Sequence, residues 1–501
     1  MSTALRIGFL GAGHIATYHS KSLRHATRDI EGELGVDVVR AGVHDVDRSR
    51  AEAFAAASGH TVMDSEIAVI DSCDAVYVCT WTSEHLRLAA LAAERGRAVF
   101  CEKPLAPDLD SARLLTDVLE TSAVIHQVGL VLRHSPAYLW ARDLVRDTRA
   151  GRVMTVVFRD DQFIPIQGHY GSTWRADRDR AGSGTLIEHS IHDVDMLHAV
   201  IGPIGSVSAR QAHFHGIAGI EDVVTAAISF DGAAPSATGS LTSIWHDNLA
   251  RPSLRRVEIF CEKRYIAIEG DWFGPVTWTD SDGSSGSLQG DELVAATAAL
   301  VPGHANPDGA FVRSVLAGTP AYPSARVALR AHEVVDAMYR SAAVGGDAVA
   351  VGASSFTIRR ATVDEVRPLR LDVLRRGMAN QTVAFDGDDD PGTIHLAAFD
   401  HRGRCVATST WLARAAAHRP DATAWQLRGM ATDRTLQGTG LGGRLLRAGL
   451  DAAREAGVRM VWANARDAAL DFYGAHGFTV VGDGFIETVT QLPHHVVVID
   501  L

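Results

Sequence analysis

Apolar residues in the first 125 positions fall into short runs separated by stretches of helical spacing. Leu5–Leu10 reads as a buried strand, and further short strands are expected near 37–43, 75–79, 98–101 and 124–129. Between them, apolar positions recur every three or four residues at about 14–25, 48–57, 84–95 and 108–120, the spacing of helices with one buried face. Such alternation predicts a doubly wound parallel sheet. From about residue 150 the period changes. Segments at 153–163, 205–215, 222–230, 236–245, 254–261 and 264–270 predict a mostly antiparallel sheet, with helices at 188–201, 308–317 and 324–342. The stretch 344–355 (VGGDAVAVGASS) is small and nearly uncharged, as a linker would be. The pattern therefore divides the chain into an α/β doubly wound domain (1–125), an α/β open-sheet domain (126–345), a linker (346–355) and a mixed α+β domain (356–501).

Composition narrows the class without changing this picture. A chain of 501 residues exceeds one hydrophobic core, and 46% hydrophobic with 22% charged residues is ordinary for globular protein. The net charge of -12, with no basic block, argues against nucleic acid or an anionic membrane as partner. Cys73, Cys79, Cys101, Cys261 and Cys405 are scattered, and several sit in apolar runs. They read as reduced core residues of a cytoplasmic protein, and their spacing suggests no metal site. No signal peptide and no run of membrane-spanning length is read from the sequence.

The first chemical signal is Gly11-Ala12-Gly13-His14-Ile15-Ala16, between a strand and a helix. Gly11 would make the tight turn, Gly13 would let backbone approach a pyrophosphate, and the small Ala16 would let helix pack on strand. Asp45, at the end of the second strand, suits a ribose diol and would repel a 2′-phosphate, favouring NAD, while Arg48 leaves NADP open. Asp45 could instead cap the next helix. Thr80-Trp81-Thr82-Ser83-Glu84-His85 should line the same cleft, with Trp81 placed to pack on the dinucleotide. Glu102-Lys103-Pro104 ends a strand where a nicotinamide would lie, and the proline restricts Lys103 to an extended conformation.

Downstream, Gly182-Ser183-Gly184-Thr185-Leu186-Ile187-Glu188-His189-Ser190-Ile191-His192 would, if helical throughout, put Glu188 and His192 on one face. A lysine and a histidine facing one cleft suit alcohol oxidation: Lys103 would polarise the oxygen and His192 would take the hydroxyl proton. Glu188, His189 and His192 as metal ligands are the alternative, and no sulfur or acidic cluster accompanies them.

In these motifs, with Trp174-Arg175 ahead of the glycine run, residues 1 to about 345 resemble the glucose–fructose oxidoreductase / inositol dehydrogenase (Gfo/Idh/MocA) family. The resemblance implies a Rossmann domain plus a substrate domain, with catalytic Lys103 and His192 and with cofactor contacts from His85 and Glu102. It also implies substrate contacts from Arg133, Trp174 and Arg175. The family usually has aspartate where this chain has Glu188.

A second glycine-rich turn follows the strand-like Trp425–Ala431: Arg434, then Gln437-Gly438-Thr439-Gly440-Leu441-Gly442, opening an amphipathic helix at 443–456. Such a turn presents backbone N–H groups to a pyrophosphate. With Asn464 after the next strand and Phe472-Tyr473 before Gly477-Phe478, residues 356–501 resemble the GCN5-related N-acetyltransferase (GNAT) superfamily. That resemblance implies acetyl-CoA in a gap between two splayed strands, Tyr473 near the thiolate as its proton donor, and Asn464 on the cofactor or a water. No glutamate stands out as general base, and His494 and His495 are candidates.

The expectation is a bifunctional enzyme of small-molecule metabolism. One half would oxidise or reduce a hydroxyl or ketone on a sugar, nucleotide sugar or cyclitol, and the other would acetylate an amine. The alternative is a dehydrogenase carrying a non-catalytic acyl-CoA-binding regulatory module. An open sheet with an apolar outer face further suggests a homo-oligomer, dimer or tetramer.

Overall fold

The computed structural model describes residues 4–168, 170–231, 236–250, 252–300, 306–352, 356–378, 380–400, 403–437 and 441–501. The chain forms two compact units, residues 1–353 and 354–501.

The first unit opens with β1 (Ala4–Leu10), α1 (His14–Leu34), β2 (Asp37–His44), α2 (Arg48–Ser58), β3 (Thr61–Val62), α3 (Glu66–Ser72), β4 (Ala75–Val78), α4 (His85–Glu94), β5 (Ala98–Cys101), α5 (Leu109–Thr121) and β6 (His126–Val128). The strands pair in parallel in the order β3-β2-β1-β4-β5-β6. The four residues of β4 and of β5 are all buried, as a sheet covered on both faces requires. Connections leave β1 toward opposite edges, so a cleft opens at the carboxyl ends of β1 and β4. Asp45 follows a long first helix: α1 runs on to Leu34 before Gly35 (φ 63°) ends it.

Next come α6 (Pro136–Arg146), β7 (Val153–Phe163), α7 (Arg178–Ala181), α8 (Thr185–Glu188), α9 (Ile191–Val200), β8 (Ile204–Ala212), β9 (Val223–Phe230), β10 (Thr238–His246), β11 (Leu254–Cys261), β12 (Arg264–Ile268), β13 (Val276–Asp280), β14 (Ser285–Leu288), α10 (Gly290–Leu300), α11 (Pro307–Ala317), α12 (Ala325–Ala343) and β15 (Val349–Ala350). They build a nine-stranded sheet, β14-β13-β12-β11-β7-β10-β9-β8-β15, antiparallel except where β10 runs parallel to β7. β15 falls within the stretch expected to be linker. The two C-terminal helices return to both sheets. Phe311 and Val312 of α11 lie in the core with Phe9 and Tyr77. In α12, Ala325 and Ala328 join the core of the parallel sheet, and Val334, Val335 and Met338 join that of the second.

The second unit contains β16 (Thr357–Arg360), α13 (Val363–Leu374), β17 (Ile394–Phe399), β18 (Cys405–Ala413), β19 (Ala424–Thr432), α14 (Leu441–Glu455), β20 (Met460–Arg466), α15 (Leu470–Ala475), β21 (Thr479–Ile486) and β22 (Pro493–Asp500). Its sheet order is β16-β17-β18-β19-β20-β22-β21. Only β19 and β20 are parallel neighbours, and they pair only from Ala424–Met460 to Leu427–Ala463. Beyond that point β19 stays on β18 through a bulge at Thr408/Thr410, while β20 stays on β22. The two strands diverge, as a splayed gap requires.

Candidate functional site

The cleft of the first unit encloses about 500 Å³, and its lining runs from the first glycine loop to the second sheet. Gly11 takes φ 87°, and a Cβ there would stand 2.5 Å from the Cys79 carbonyl oxygen, so only glycine fits. A Cβ on Gly13 would meet nothing within 4 Å, leaving its backbone open to a phosphate. Asp45 accepts from the Ala12 N–H at 2.8 Å and lines the cleft. The cap of α2 is Asp47, not Asp45. His14, Ile15, Thr80, Trp81 and Glu102 also line the cleft, whereas Ala16 is buried beneath the loop. An open glycine and a helix start supply N–H donors for a pyrophosphate, and the carboxylate at the end of β2 supplies an acceptor for ribose hydroxyls, the set a dinucleotide requires.

Two cofactor candidates lie elsewhere. Arg48 turns outward to Glu52 and Asp64, each at 3.1 Å, because it opens the exposed face of α2. Arg50, two residues on, lines the cleft 3.5 Å from Asp45. His85 is buried, with Nδ1 2.8 Å from the Pro104 carbonyl and Nε2 3.4 Å from that of Thr80. It ties two cleft loops together rather than facing the space between them. Arg180 stacks over the Trp81 ring at 3.9 Å.

Lys103 projects into the cleft and donates from Nζ to the Glu188 backbone carbonyl at 2.6 Å. Burial pulls its pKa below the ordinary lysine value, and Glu188 opposes that shift. The preceding residue is anchored. Glu102 meets His19 Nε2 at 2.9 Å, and the other ring nitrogen meets Asp308 at 2.8 Å. Burial works against the His19 charge, but Asp308 and Glu102 outweigh it and raise the imidazole pKa to about 10. Nothing in the spacing of Glu102, His19 and Asp308 along the chain reveals this triad.

Glu188 and His192 do not share a continuous helix. His189 (φ -120°, ψ -59°) interrupts it, and α9 restarts at Ile191. The interruption is held from the second sheet: Ser190 Oγ donates to Asp160 at 3.1 Å and accepts from Ser243 Oγ at 2.6 Å. The glycine run before it packs on the loop that enters β9, where a Cβ on Gly184 would stand 1.8 Å from the Glu221 carbonyl oxygen. The buried Glu221 carboxylate collects Ser183 Oγ and the N–H groups of Gly184 and Leu186. The Glu188 carboxylate takes Thr82 Oγ1 at 2.9 Å and Arg175 Nε at 2.7 Å. Arg175 in turn stacks on Trp174, and both line the cleft.

His189, rather than His192, is among the cleft-lining side chains. Its Nε2 lies 3.0 Å from both Asp160 and Arg255. His192 is buried, and its Nδ1 has no hydrogen-bond partner among the described residues. Burial, then Lys103, drives its pKa well below that of free histidine, so the ring is neutral. Arg133 is spoken for: Asp195 grips it through two bonds of 2.6 and 2.7 Å and Tyr322 adds a third, and it does not line the cleft. Among the described residues no group of three or more His, Cys, Asp or Glu could hold a metal, and no helix is long and apolar enough to cross a membrane.

In the second unit, Gly438, Thr439 and Gly440 lie outside the described residues. Arg434 is exposed, Gln437 donates to the Thr432 carbonyl at 3.0 Å, and Leu441 is buried at the start of α14, next to Gly442. Asn464 lies on β20 beyond its last pair with β19. Tyr473 is buried on α15, with its hydroxyl 4.0 Å from Met430 Sδ, and burial raises its pKa to about 12. His494 and His495 pair with Arg466 and Ala465 at the edge of the same gap.

Family models fit both units. Residues 5–130 match an oxidoreductase family with an NAD-binding Rossmann fold, and residues 138–267 match the GFO/IDH/MocA C-terminal domain. The scyllo-inositol 2-dehydrogenase (NAD(+)) of Bacillus subtilis is 30% identical over 258 residues, 49% of this chain and 70% of that protein. The chain belongs to the GFO/IDH/MocA oxidoreductase family. Its second unit carries an acetyltransferase (GNAT) family domain over residues 367–478, making the protein an oxidoreductase fused to an acetyltransferase. Inositol 2-dehydrogenase of Rhizobium meliloti is 28% identical over 349 residues, 68% of this oxidoreductase and 97% of the relative. A levoglucosan dehydrogenase in complex with NADH shares the fold, with a TM-score of 0.61 and 21% identity over 70% of this chain and 99% of its own.

Proposed function

We propose that the first unit oxidises a secondary hydroxyl of a cyclitol or monosaccharide with NAD, or reduces the matching ketone. The observation that carries this reading is Lys103: a half-buried amine in the same cleft as the open backbone of Gly13 and the carboxylate of Asp45. The nicotinamide, when bound, supplies the hydride acceptor. Lys103 holds the reacting oxygen and favours its alkoxide. We assign the hydroxyl proton to His192, which is buried outside the cleft lining of His189 and Glu188 and whose Nδ1 has no partner among the described residues. Glu188 is fixed by Thr82 and Arg175, so its charge orients rather than reacts. Inositol and levoglucosan dehydrogenases among the relatives favour a polyol ring as substrate.

For the second unit, we propose acetyl transfer from acetyl-CoA to a small-molecule amine. The divergence of β19 from β20 supports it, and we assign Tyr473, buried on α15, as the proton donor to the departing thiolate. The test is reduced-nicotinamide formation across inositols, monosaccharides and nucleotide sugars, run beside thiol release from acetyl-CoA across amines. Lys103→Met lowers the first activity by about 10²-fold or more if the reading is right, and unchanged turnover in that variant refutes the site. Acetyl-CoA binding with no discharge by any amine would favour the regulatory-module alternative.

A further inference from the structure

Five arginines gather where β19 leaves β20, on the sheet face packed against α13. Arg370, Arg375 and Arg428 surround the Phe385 ring, with guanidinium carbons 4.7, 5.6 and 4.8 Å from its centroid. Phe385 itself lies at the bulge of β19, where a Cβ on Gly429 (φ 57°) would stand 3.0 Å from the ring. Arg466 joins from β20, and Arg414 lies beside Arg428.

The carboxylates in reach are committed. Asp388 binds Arg370 at 2.7 Å and the Phe385 N–H at 2.8 Å. Asp386 binds Arg414 at 2.9 Å. Glu487 accepts the N–H groups of Val489 and Thr490. Five guanidinium groups thus face three carboxylates.

Arg375, Arg428 and Arg466 are left with carbonyl acceptors. Arg375 and Arg466 both donate, at 3.1 Å, to the same Leu374 oxygen. Arg428 donates to the Asp386 backbone at 2.9 Å. Two cations converging on one carbonyl repel each other, and among the described residues Glu487, Asp386 and Asp388 act on these three guanidinium groups without an ion pair to any of them. Planar forks so placed suit a bidentate anion.

We propose that this arginine cluster is the acceptor subsite of the acetyltransferase unit, and that the amine it acetylates also carries an anionic group, a carboxylate or a phosphate. The inference rests on the acetyl-transfer reading above and adds a substrate class to it. Arg428 and Arg466 stand on the two diverging strands, so an anion held between them leaves the rest of the acceptor at the gap beside Asn464. In transfer, the acceptor nitrogen attacks the thioester carbonyl, the C–S bond breaks, and the nitrogen's proton is released as the thiolate is protonated.

The experiment has two arms on the full chain. In the first, thiol release from acetyl-CoA is followed with paired acceptors: amino acids against their methyl esters, and amino-sugar phosphates against the free amino sugars. The proposal expects kcat/KM at least tenfold higher for the anionic member of one pair, and which pair responds separates carboxylate from phosphate. Arg428→Gln and Arg466→Gln should lower the anionic-to-neutral ratio of kcat/KM toward one by raising KM for the anionic member. Equal or better turnover of the neutral members overturns the proposal and leaves acetyl transfer standing. In the second arm, with acetyl-CoA saturating, thermal stabilisation by inorganic phosphate or malonate is measured. Stabilisation lost in both variants supports the anion site even if no amine is acetylated, an outcome that fails only the transfer reading. Stabilisation absent in the parent, or unchanged in the variants, overturns the anion site.

Discussion

The two units open their clefts between parallel neighbours by different means. In the first, β1 and β4 stay paired to their ends, and the gap arises because the connections after them leave in opposite directions. In the second, β19 and β20 share only four pairs and then part, each remaining bonded to its other neighbour. One gap lies outside a sheet and the other within it. The first keeps every ladder bond and can use strand-end side chains such as Lys103. The second leaves a row of backbone groups on β19 open to a ligand, and its bulge brings Gly429 against Phe385.

If the clefts are independent, Lys103→Met should lower hydride transfer by about 10²- to 10⁴-fold. Acetyl-CoA discharge should stay at the parent rate, and a parallel fall would show that the clefts are coupled. Next in size, Gly11→Ala and Gly429→Ala each force a side chain into a positive-φ position, at a cost of about 1–3 kcal/mol. Thermal unfolding with and without NAD or acetyl-CoA should show each substitution weakening only its own ligand.

A third test concerns the His19 triad, which has no counterpart described in the second unit. The His19 pKa is raised in the fold, so its stabilisation is complete below pH 6.5 and fades as pH climbs through about 10. The first unit's unfolding midpoint should fall over that window, and His19→Asn should start lower and flatten the fall. The smallest effect is expected at α2. Arg50→Ala should raise the NAD-to-NADP ratio of kcat/KM by about two- to fivefold, the scale of an exposed ion pair, and Arg48→Ala should leave it unchanged.

The sequence carried local order well and long-range pairing poorly. Val153–Phe163 and Leu254–Cys261 are legible to the residue because alternation marks a half-buried strand. Val276–Asp280 alternates over only five residues and Ser285–Leu288 has a single large apolar residue, so both runs are too short to announce strands. The parallel pairing of β10 with β7 leaves no local trace. The same divide runs through the site. The glycine loop, Asp45 and Lys103 can be read because the chemistry is encoded in adjacent residues. The helix break at His189 is imposed by Asp160 and Ser243, and the capture of Arg133 by Asp195 spans 62 positions. His189 itself was in view, but helical periodicity favoured His192, and only tertiary contacts distinguish which ring lines the cleft.

The helix α12 carries a consequence for how the chain is made. Its first turns complete the core of the parallel sheet, whose last strand ends at Val128, yet Ala325 and Ala328 are synthesised about 200 residues later. At a typical pace of about 5–20 residues per second, the nascent sheet waits on the order of 10–40 s for its missing cover. During that interval the apolar flank of Leu105, Leu115 and Val128 is bare at the ribosome. The N-terminal quarter is therefore expected to need protection before it is a dinucleotide site, and a chain released before residue 328 should aggregate rather than bind NAD.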